Sequence, residues 1–161
     1  MTRKNLLLTG SKGQLGSTFS LLFKSSPLAQ KFNLHEVDID DLDFSDQQAI
    51  LSKLPAYSPS IILNCGAYTA VDEAEDNLEL AERVNVDSVR LISTWCAENS
   101  CRLIHISTDF VFNGEKKTPY SPGDKANPLG VYGRTKLRGE KHILRELPDN
   151  GAIVRTSWLY S

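Results

Sequence analysis

The feature that most narrows what this chain can fold into is a regular exchange between short apolar runs and longer stretches of helical periodicity. The apolar runs fall at residues 5–9, 32–37, 60–64, 102–107 and 152–155, each too short for a helix. Between them, Leu15, Phe19, Leu22 and Phe23 recur on one helical face, as do Ala81, Val84, Ser88, Ile92 and Trp95 further along. Parallel neighbours in a sheet need a crossover, and a helix packed on the sheet face supplies it. The alternation therefore predicts an α/β fold with a doubly wound parallel sheet. With 161 residues, 40% of them apolar, the chain can bury one such core and reads as one domain.

Punctuation refines the outline. A shorter helix is predicted over 46–54, ended by Pro55. Asn127-Pro128 reads as an N-cap followed by proline at the first helical position, opening a last helix that runs to Leu147 and stops at Pro148. The Pro- and Gly-rich segment 113–128 joins a strand to that helix; a flap on the substrate side and a disordered surface loop account for it equally well.

Gly10-Ser11-Lys12-Gly13-Gln14-Leu15-Gly16 follows the first predicted strand and opens the first helix. Glycines at such a turn let the backbone approach a pyrophosphate and aim the free N–H groups of the helix at it. A larger residue at Gly13 is expected to block that approach. The plain alternative is a tight turn using glycine for its backbone freedom. The position, between strand and helix, favours dinucleotide binding and a Rossmann-like sheet.

Asp38 ends the second strand, 22 residues past Gly16, where a carboxylate can accept hydrogen bonds from an adenosine ribose. A carboxylate there repels the 2′-phosphate of NADP, whereas Lys12 in the glycine loop can neutralise it. The choice between NADH and NADPH stays open on these residues. Asp38 can equally be a solvated loop acid, as Asp40, Asp41 and Asp43 are read to be.

Tyr132-Gly133-Arg134-Thr135-Lys136 places a phenol and an ammonium four residues apart, on one helical face. That spacing is weak alone, but Ser107-Thr108-Asp109 ends a predicted strand at the edge where open α/β sheets bind ligands. If Thr108 and Tyr132 both reach a carbonyl oxygen, the carbonyl is polarised while a hydride arrives, and the developing alkoxide takes the phenol's proton. Lys136 is expected to lower the phenol's pKa and to hold the nicotinamide ribose. The bland alternative has Tyr132 bonded to a backbone carbonyl and Lys136 paired with Glu140.

Charge excludes other classes. Eighteen basic and 20 acidic residues leave a net charge of −2 with no basic patch for nucleic acid. The N-terminus carries neither a signal-peptide core nor a membrane span, so a cytoplasmic protein is expected. Cys65, Cys96 and Cys101 lack zinc-site spacing and read as reduced structural thiols, with Cys96 and Cys101 near each other around a helix end.

Taken together, these motifs resemble an extended short-chain dehydrogenase/reductase. Three stretches are similar to dTDP-4-dehydrorhamnose reductases in particular: Asn64-Cys65-Gly66-Ala67-Tyr68-Thr69-Ala70-Val71-Asp72-Glu73-Ala74-Glu75, Ser107-Thr108-Asp109-Phe110-Val111-Phe112, and Arg155-Thr156-Ser157-Trp158-Leu159-Tyr160. The resemblance implies reduction of dTDP-4-dehydro-L-rhamnose to dTDP-L-rhamnose, a precursor of bacterial surface polysaccharide. It implies Tyr132 as proton donor, Lys136 as its partner and Thr108 as the residue tuning the phenol. By the same resemblance Gly13, Gln14 and Leu15 line the pyrophosphate, and Asp38, Asp43 and Phe44 the adenosine end. Gly66, Ala67 and Tyr68 line the cofactor's inner edge, and Thr108, Asp109 and Trp158 touch the sugar nucleotide. Trp158 reads nearly as well as a buried core aromatic. Related dehydratases carry a glutamate acid/base where this chain has Phe110, which moves no proton.

Family members are nearly twice as long, with a C-terminal region that holds much of the sugar-nucleotide pocket and, in some, a magnesium-assisted homodimer contact. This chain stops at Ser161, and no residue of it is assigned to a metal. The expectation is an incomplete enzyme with weak cofactor binding, little or no catalysis and exposed apolar surface. Two other readings stay open: a non-catalytic regulatory subunit similar to that of methionine adenosyltransferase, and an NAD-dependent sugar-nucleotide epimerase.

Overall fold

The structure, a computed structural model, describes residues 2–159. Strands β1 (Lys4–Thr9), β2 (Phe32–Val37), β3 (Ile61–Asn64), β4 (Arg102–Thr108) and β5 (Gly151–Thr156) pair in parallel in the order β2-β1-β3-β4-β5. Helices α1 (Gln14–Ser25), α2 (Gln47–Lys53), α3 (Leu78–Glu82), α4 (Ser88–Glu98) and α5 (Val131–Glu146) supply the crossovers, and a π-helical turn, Arg83–Asp87, joins α3 to α4. From β1 the chain moves to one side to make β2, then returns to the other to make β3. The loops leaving β1 and β3 therefore diverge, and a crevice opens at the carboxyl ends of the strands.

Alternation along the strands sends successive side chains to opposite faces. Leu7, Ile62 and Leu103 meet Ile50 of α2, Val89 and Ile92 of α4 and Ile143 of α5 in the larger core. Leu6, Leu8 and Leu63 pack on the other face, against Phe19 of α1. Both faces carry helices, as the doubly wound pattern requires. On this same face, beyond α1, the cover is thinner: Ile104 and Ile106 are half-buried and Val154, the β5 partner of Ile106, is 43% exposed, the open apolar surface the sequence leads one to expect.

Three local expectations need correction. Leu22 points outward, because the buried row of α1 runs through Gly16, Ser20 and Phe23. Pro55 does not simply end a helix: α2, capped by the Asp46 carboxylate on two backbone N–H groups, gives way to a 3-10 turn over Leu54–Tyr57 whose first positions accept the proline. The last helix starts at Val131, not Pro128, with Gly130 as its cap residue. Its first N–H donates instead to the Glu75 carboxylate at 2.7 Å, a partner 56 residues away, and the Asn127 N–H goes to the Val111 carbonyl. The thiol expectation holds: the Cys101 N–H donates to the Cys96 carbonyl at 2.9 Å around the end of α4, and all three cysteines are free.

Two glycines let α5 lie close to its neighbours. A Cβ on Gly133 would stand 2.2 Å from the Phe110 carbonyl oxygen, and one on Gly139 2.4 Å from that of Asn85. Gly133→Ala is expected to force the Asp109–Val111 turn and α5 apart and cost about 1–3 kcal/mol. A urea midpoint equal to that of the parent chain would contradict this packing.

Candidate active site

The crevice is a cleft of about 1130 Å³. Its floor begins with the glycine turn. Gly10 has φ +65°, and a Cβ there would fall 2.7 Å from the Gly66 nitrogen, so only glycine lets the ends of β1 and β3 meet. Gly16 is just as confined, with a Cβ only 2.1 Å from the Gly10 carbonyl oxygen. Gly13, the N-cap of α1, is less crowded by the protein itself; its missing side chain keeps the cleft open. The tight-turn reading therefore holds for Gly10 and Gly16, while Gly13 borders the open cleft. No side chain caps α1 at Gly13, and Gln14 and Leu15 line the cleft beside it, which suits an anionic pyrophosphate.

The far end is shaped by the loop after β2. Val37, Leu42 and Phe44 present an apolar wall, and Phe44 lies under Gly66, where a Cβ would be 3.1 Å from its ring. Asp43 lines the cleft but uses one oxygen on the Ser45 N–H, at 2.7 Å. Asp38 accepts the Lys12 backbone N–H at 2.7 Å and the Ile39 N–H at 2.9 Å. The Lys12 ammonium does not face the cleft as a phosphate partner: it pairs with Asp40, while Asp41 accepts the Asp38 N–H. Asp40 and Asp41 are solvated loop acids, as expected, and each also takes a partner within this neighbourhood. Adenine-sized apolar surface, a carboxylate and an open helix N-terminus together fit a dinucleotide.

Gly66, Ala67 and Tyr68 form the inner edge. Asn85, buried in the π-helical turn, holds this loop by accepting the Tyr68 N–H at 3.0 Å and donating to its carbonyl at 3.1 Å, and it reaches Thr135 of α5 at 3.2 Å. A π-turn re-aims one side chain in this way, and no local sequence pattern signals it.

Thr108, Tyr132 and Lys136 line the same cleft as the glycines. Thr108 accepts the Phe110 N–H at 3.1 Å, and Phe110 meets the Tyr132 ring edge-on with centroids 5.7 Å apart. The phenol's pKa is raised, chiefly by burial, against the pull of the Thr108 hydroxyl, and the Asp109 carboxylate adds to the rise. This corrects the expectation that Lys136 lowers it. The lysine is turned into the sheet instead, its Nζ 2.8 Å from the Ile106 carbonyl oxygen and 3.1 Å from His105 Nε2. Burial pulls its pKa down to about 8, with Glu140 and the Cys65 thiol acting the other way. Burial also pushes the Cys65 thiol up to about 11. The bland pairing of Lys136 with Glu140 is absent, because Glu140 is taken by Arg155 and Ser107.

Asp109 receives the Ser157 hydroxyl at 2.7 Å, and Trp158 stands 81% exposed at the cleft mouth with φ +49°, so it is no core aromatic. Tyr160, which closes the last family-like stretch, lies outside the described residues. The segment 113–128 does not itself line this cleft but packs beside it. Tyr120 stacks on Phe112 at 4.2 Å, Lys116 pairs with Asp124, and Arg155 reaches the Pro122 carbonyl at 3.3 Å, around a second cavity that shares Asp109 and Thr156 with the first. Among the described residues no group of three or more His, Cys, Asp or Glu is placed to hold a metal, and no helix is long and apolar enough to cross a membrane.

Fold and cleft together define a Rossmann-like, doubly wound α/β protein whose cleft has the shape and polarity to fit a dinucleotide. Residues 4–161 match the family model described as RmlD substrate binding domain, and the chain belongs to that family, the dTDP-4-dehydrorhamnose reductases. It is 40% identical over 159 residues to the dTDP-4-dehydrorhamnose reductase of Escherichia coli K12, covering 98% of this chain and 52% of that one. It is 37% identical over 156 residues to a dTDP-4-keto-6-deoxy-D-glucose reductase of Streptomyces niveus, covering 96% of this chain and 52% of the relative. The crystal structure of dTDP-4-dehydrorhamnose reductase from Bacillus anthracis in complex with NADP superposes with a TM-score of 0.88 at 31% identity, covering 99% of this chain and 55% of that chain. The chain thus spans about half the length of the curated relatives it matches.

Proposed function

We propose that residues 1–161 form the dinucleotide-binding domain of a reductase that converts the 4-keto group of dTDP-4-dehydro-L-rhamnose to the alcohol of dTDP-L-rhamnose, with NADH or NADPH as reductant. The observation that carries this reading is the shared cleft, which Thr108, Tyr132 and Lys136 line together with the glycine loop. The dinucleotide, when bound, supplies the hydride. The remaining work falls to side chains of this chain. Tyr132, its phenol held protonated through neutral pH by burial, gives its proton to the carbonyl oxygen as negative charge develops there. Thr108 orients that oxygen, and Phe110 keeps water from the ring while offering no proton for a dehydration.

Between the two reductants, the charges around Asp38 favour NADH. Asp38, Asp40 and Asp41 gather there, and Lys12 already pairs with Asp40, so a 2′-phosphate would meet net negative charge. Fluorescence titration of this chain is expected to show NADH binding about tenfold tighter than NADPH, about 1.4 kcal/mol, with the gap narrowed in Asp38→Ala. Tighter NADPH binding in the parent chain would remove Asp38 from that role. The reaction itself is tested by nicotinamide oxidation in the full-length protein with the dTDP-4-keto sugar. Nucleotide binding without any turnover of that sugar would overturn the assignment.

A further inference from the structure

Behind the cleft a row of buried polar side chains crosses the sheet from β1 to α5. Thr9 Oγ1 lies 2.8 Å from Asn64 Oδ1, Asn64 Nδ2 lies 3.0 Å from His105 Nδ1, and His105 Nε2 lies 3.1 Å from Lys136 Nζ. All four residues are at most 1% exposed, so each polar group must find its partner inside the protein.

A single backbone amide sets the direction of this row. The Gly66 N–H donates to Asn64 Oδ1 at 3.1 Å, and a backbone N–H can only donate. The oxygen of the Asn64 amide is thereby pinned toward Gly66, which leaves its NH₂ facing His105. The Thr9 hydroxyl can rotate to suit either orientation; the Gly66 amide cannot. His105 Nδ1 must therefore accept, and a neutral imidazole then carries its proton on Nε2. Neutral is the form that burial imposes, helped by the neighbouring Lys136, since the pKa of His105 is pushed well below its ordinary value. The resulting Nε2–H points at Lys136 Nζ. An amine accepts it with its lone pair, whereas an ammonium has none, and two donors then face each other at 3.1 Å.

We propose that Asn64 and His105 are positioning residues that hold an N–H donor against Lys136 Nζ, so that the Lys136 ammonium gives up its proton more readily than an ordinary lysine. The other groups around Nζ are few. The Ile106 carbonyl accepts from amine and ammonium alike, Tyr132 shares the helix and the cleft, and Cys65 and Glu140 favour the cation. Glu140 spends its charge on Arg155, at 2.6 Å. Burial carries the balance, and the amine's pKa falls to about 8. Use of the proton in turnover rests on the reductase reading, whereas the tautomer and the proton affinity of Lys136 do not.

The test is NMR on the full chain with labelled histidine and lysine. Through neutral pH, the ¹⁵N signals of His105 are expected to show a protonated Nε2 and a bare Nδ1; a protonated Nδ1 overturns the proposal. The ¹³Cε signal of Lys136 is expected to titrate near pH 8. His105→Leu removes the opposing donor and is expected to make Lys136 about a tenfold weaker acid. Were the imidazole accepting from the ammonium, the same replacement would make it a stronger acid, so the sign of the shift decides. Asn64→Asp can only accept, turns Nδ1 into the donor and frees the Nε2 lone pair, and is likewise expected to raise the pKa of Lys136. If either variant fails to fold, the tautomer in the parent chain still separates the two arrangements. A silent keto-sugar assay leaves these spectra unchanged, and a wrong tautomer leaves that assay unchanged.

Discussion

Tyr132→Phe in the full-length protein is expected to lower kcat by roughly 10²- to 10⁴-fold while leaving nucleotide affinity within about twofold of the parent. The change removes one hydroxyl and keeps the ring, so the edge-on contact with Phe110 at 5.7 Å survives and the helix has no reason to shift. What is lost is the group that protonates the developing alkoxide. Because burial raises the phenol's pKa, with Thr108 only partly opposing it, Tyr132 stays protonated across the neutral range and its own ionisation sets no limit there. An alkaline fall in kcat/KM should instead begin near pH 8, where Lys136 gives up its proton. Nicotinamide absorbance gives the rate, and fluorescence titration gives the affinity. Turnover unchanged by the replacement would end the role assigned to this residue.

The largest loss of stability is expected from Glu140→Ala, about 3–5 kcal/mol by urea denaturation. Glu140 is fully buried, accepting the Ser107 hydroxyl at 2.6 Å and a two-pronged bond from Arg155 at 3.0 and 2.6 Å. It thereby ties α5 to β4 and β5 at one point. Its removal strands a guanidinium that also lies 5.0 Å from the Phe112 ring, so the 113–128 loop should become easier to cleave by protease. The greater part of the penalty comes from the orphaned charge. Glu140→Met combined with Arg155→Met is therefore expected to recover much of the loss. A double variant no more stable than Glu140→Ala would show that the pair contributes more than its desolvation costs.

Legibility in the sequence follows the range of the interactions. The five strands lie within one residue of the expected bounds, since a strand's apolar pattern is local and both sheet faces are buried. The glycine turn and the strand-end hydroxyl are legible for the same reason: their meaning depends on the elements just before and after them. Lys12 departs from its expected role because its charge is spent on Asp40, in a loop that only the pairing of β1 with β2 brings near. The start of α5 departs from expectation because its acceptor is Glu75, from the loop after β3, while Asn127-Pro128 offers a local signal that the chain does not use.

Sequence by itself determined the order of elements and, through that order, where the crevice had to open: strand and helix periods are short-range properties, and a parallel sheet that reverses its winding leaves a gap at the reversal. Only the tertiary structure decided how the side chains at that gap behave. Lys136 faces His105 and not Glu140, and the direction of the row behind it is set by the Gly66 amide acting through Asn64. Proton affinity and hydrogen-bond direction depend on which groups from distant strands share a buried space, and no local pattern of residues carries that information.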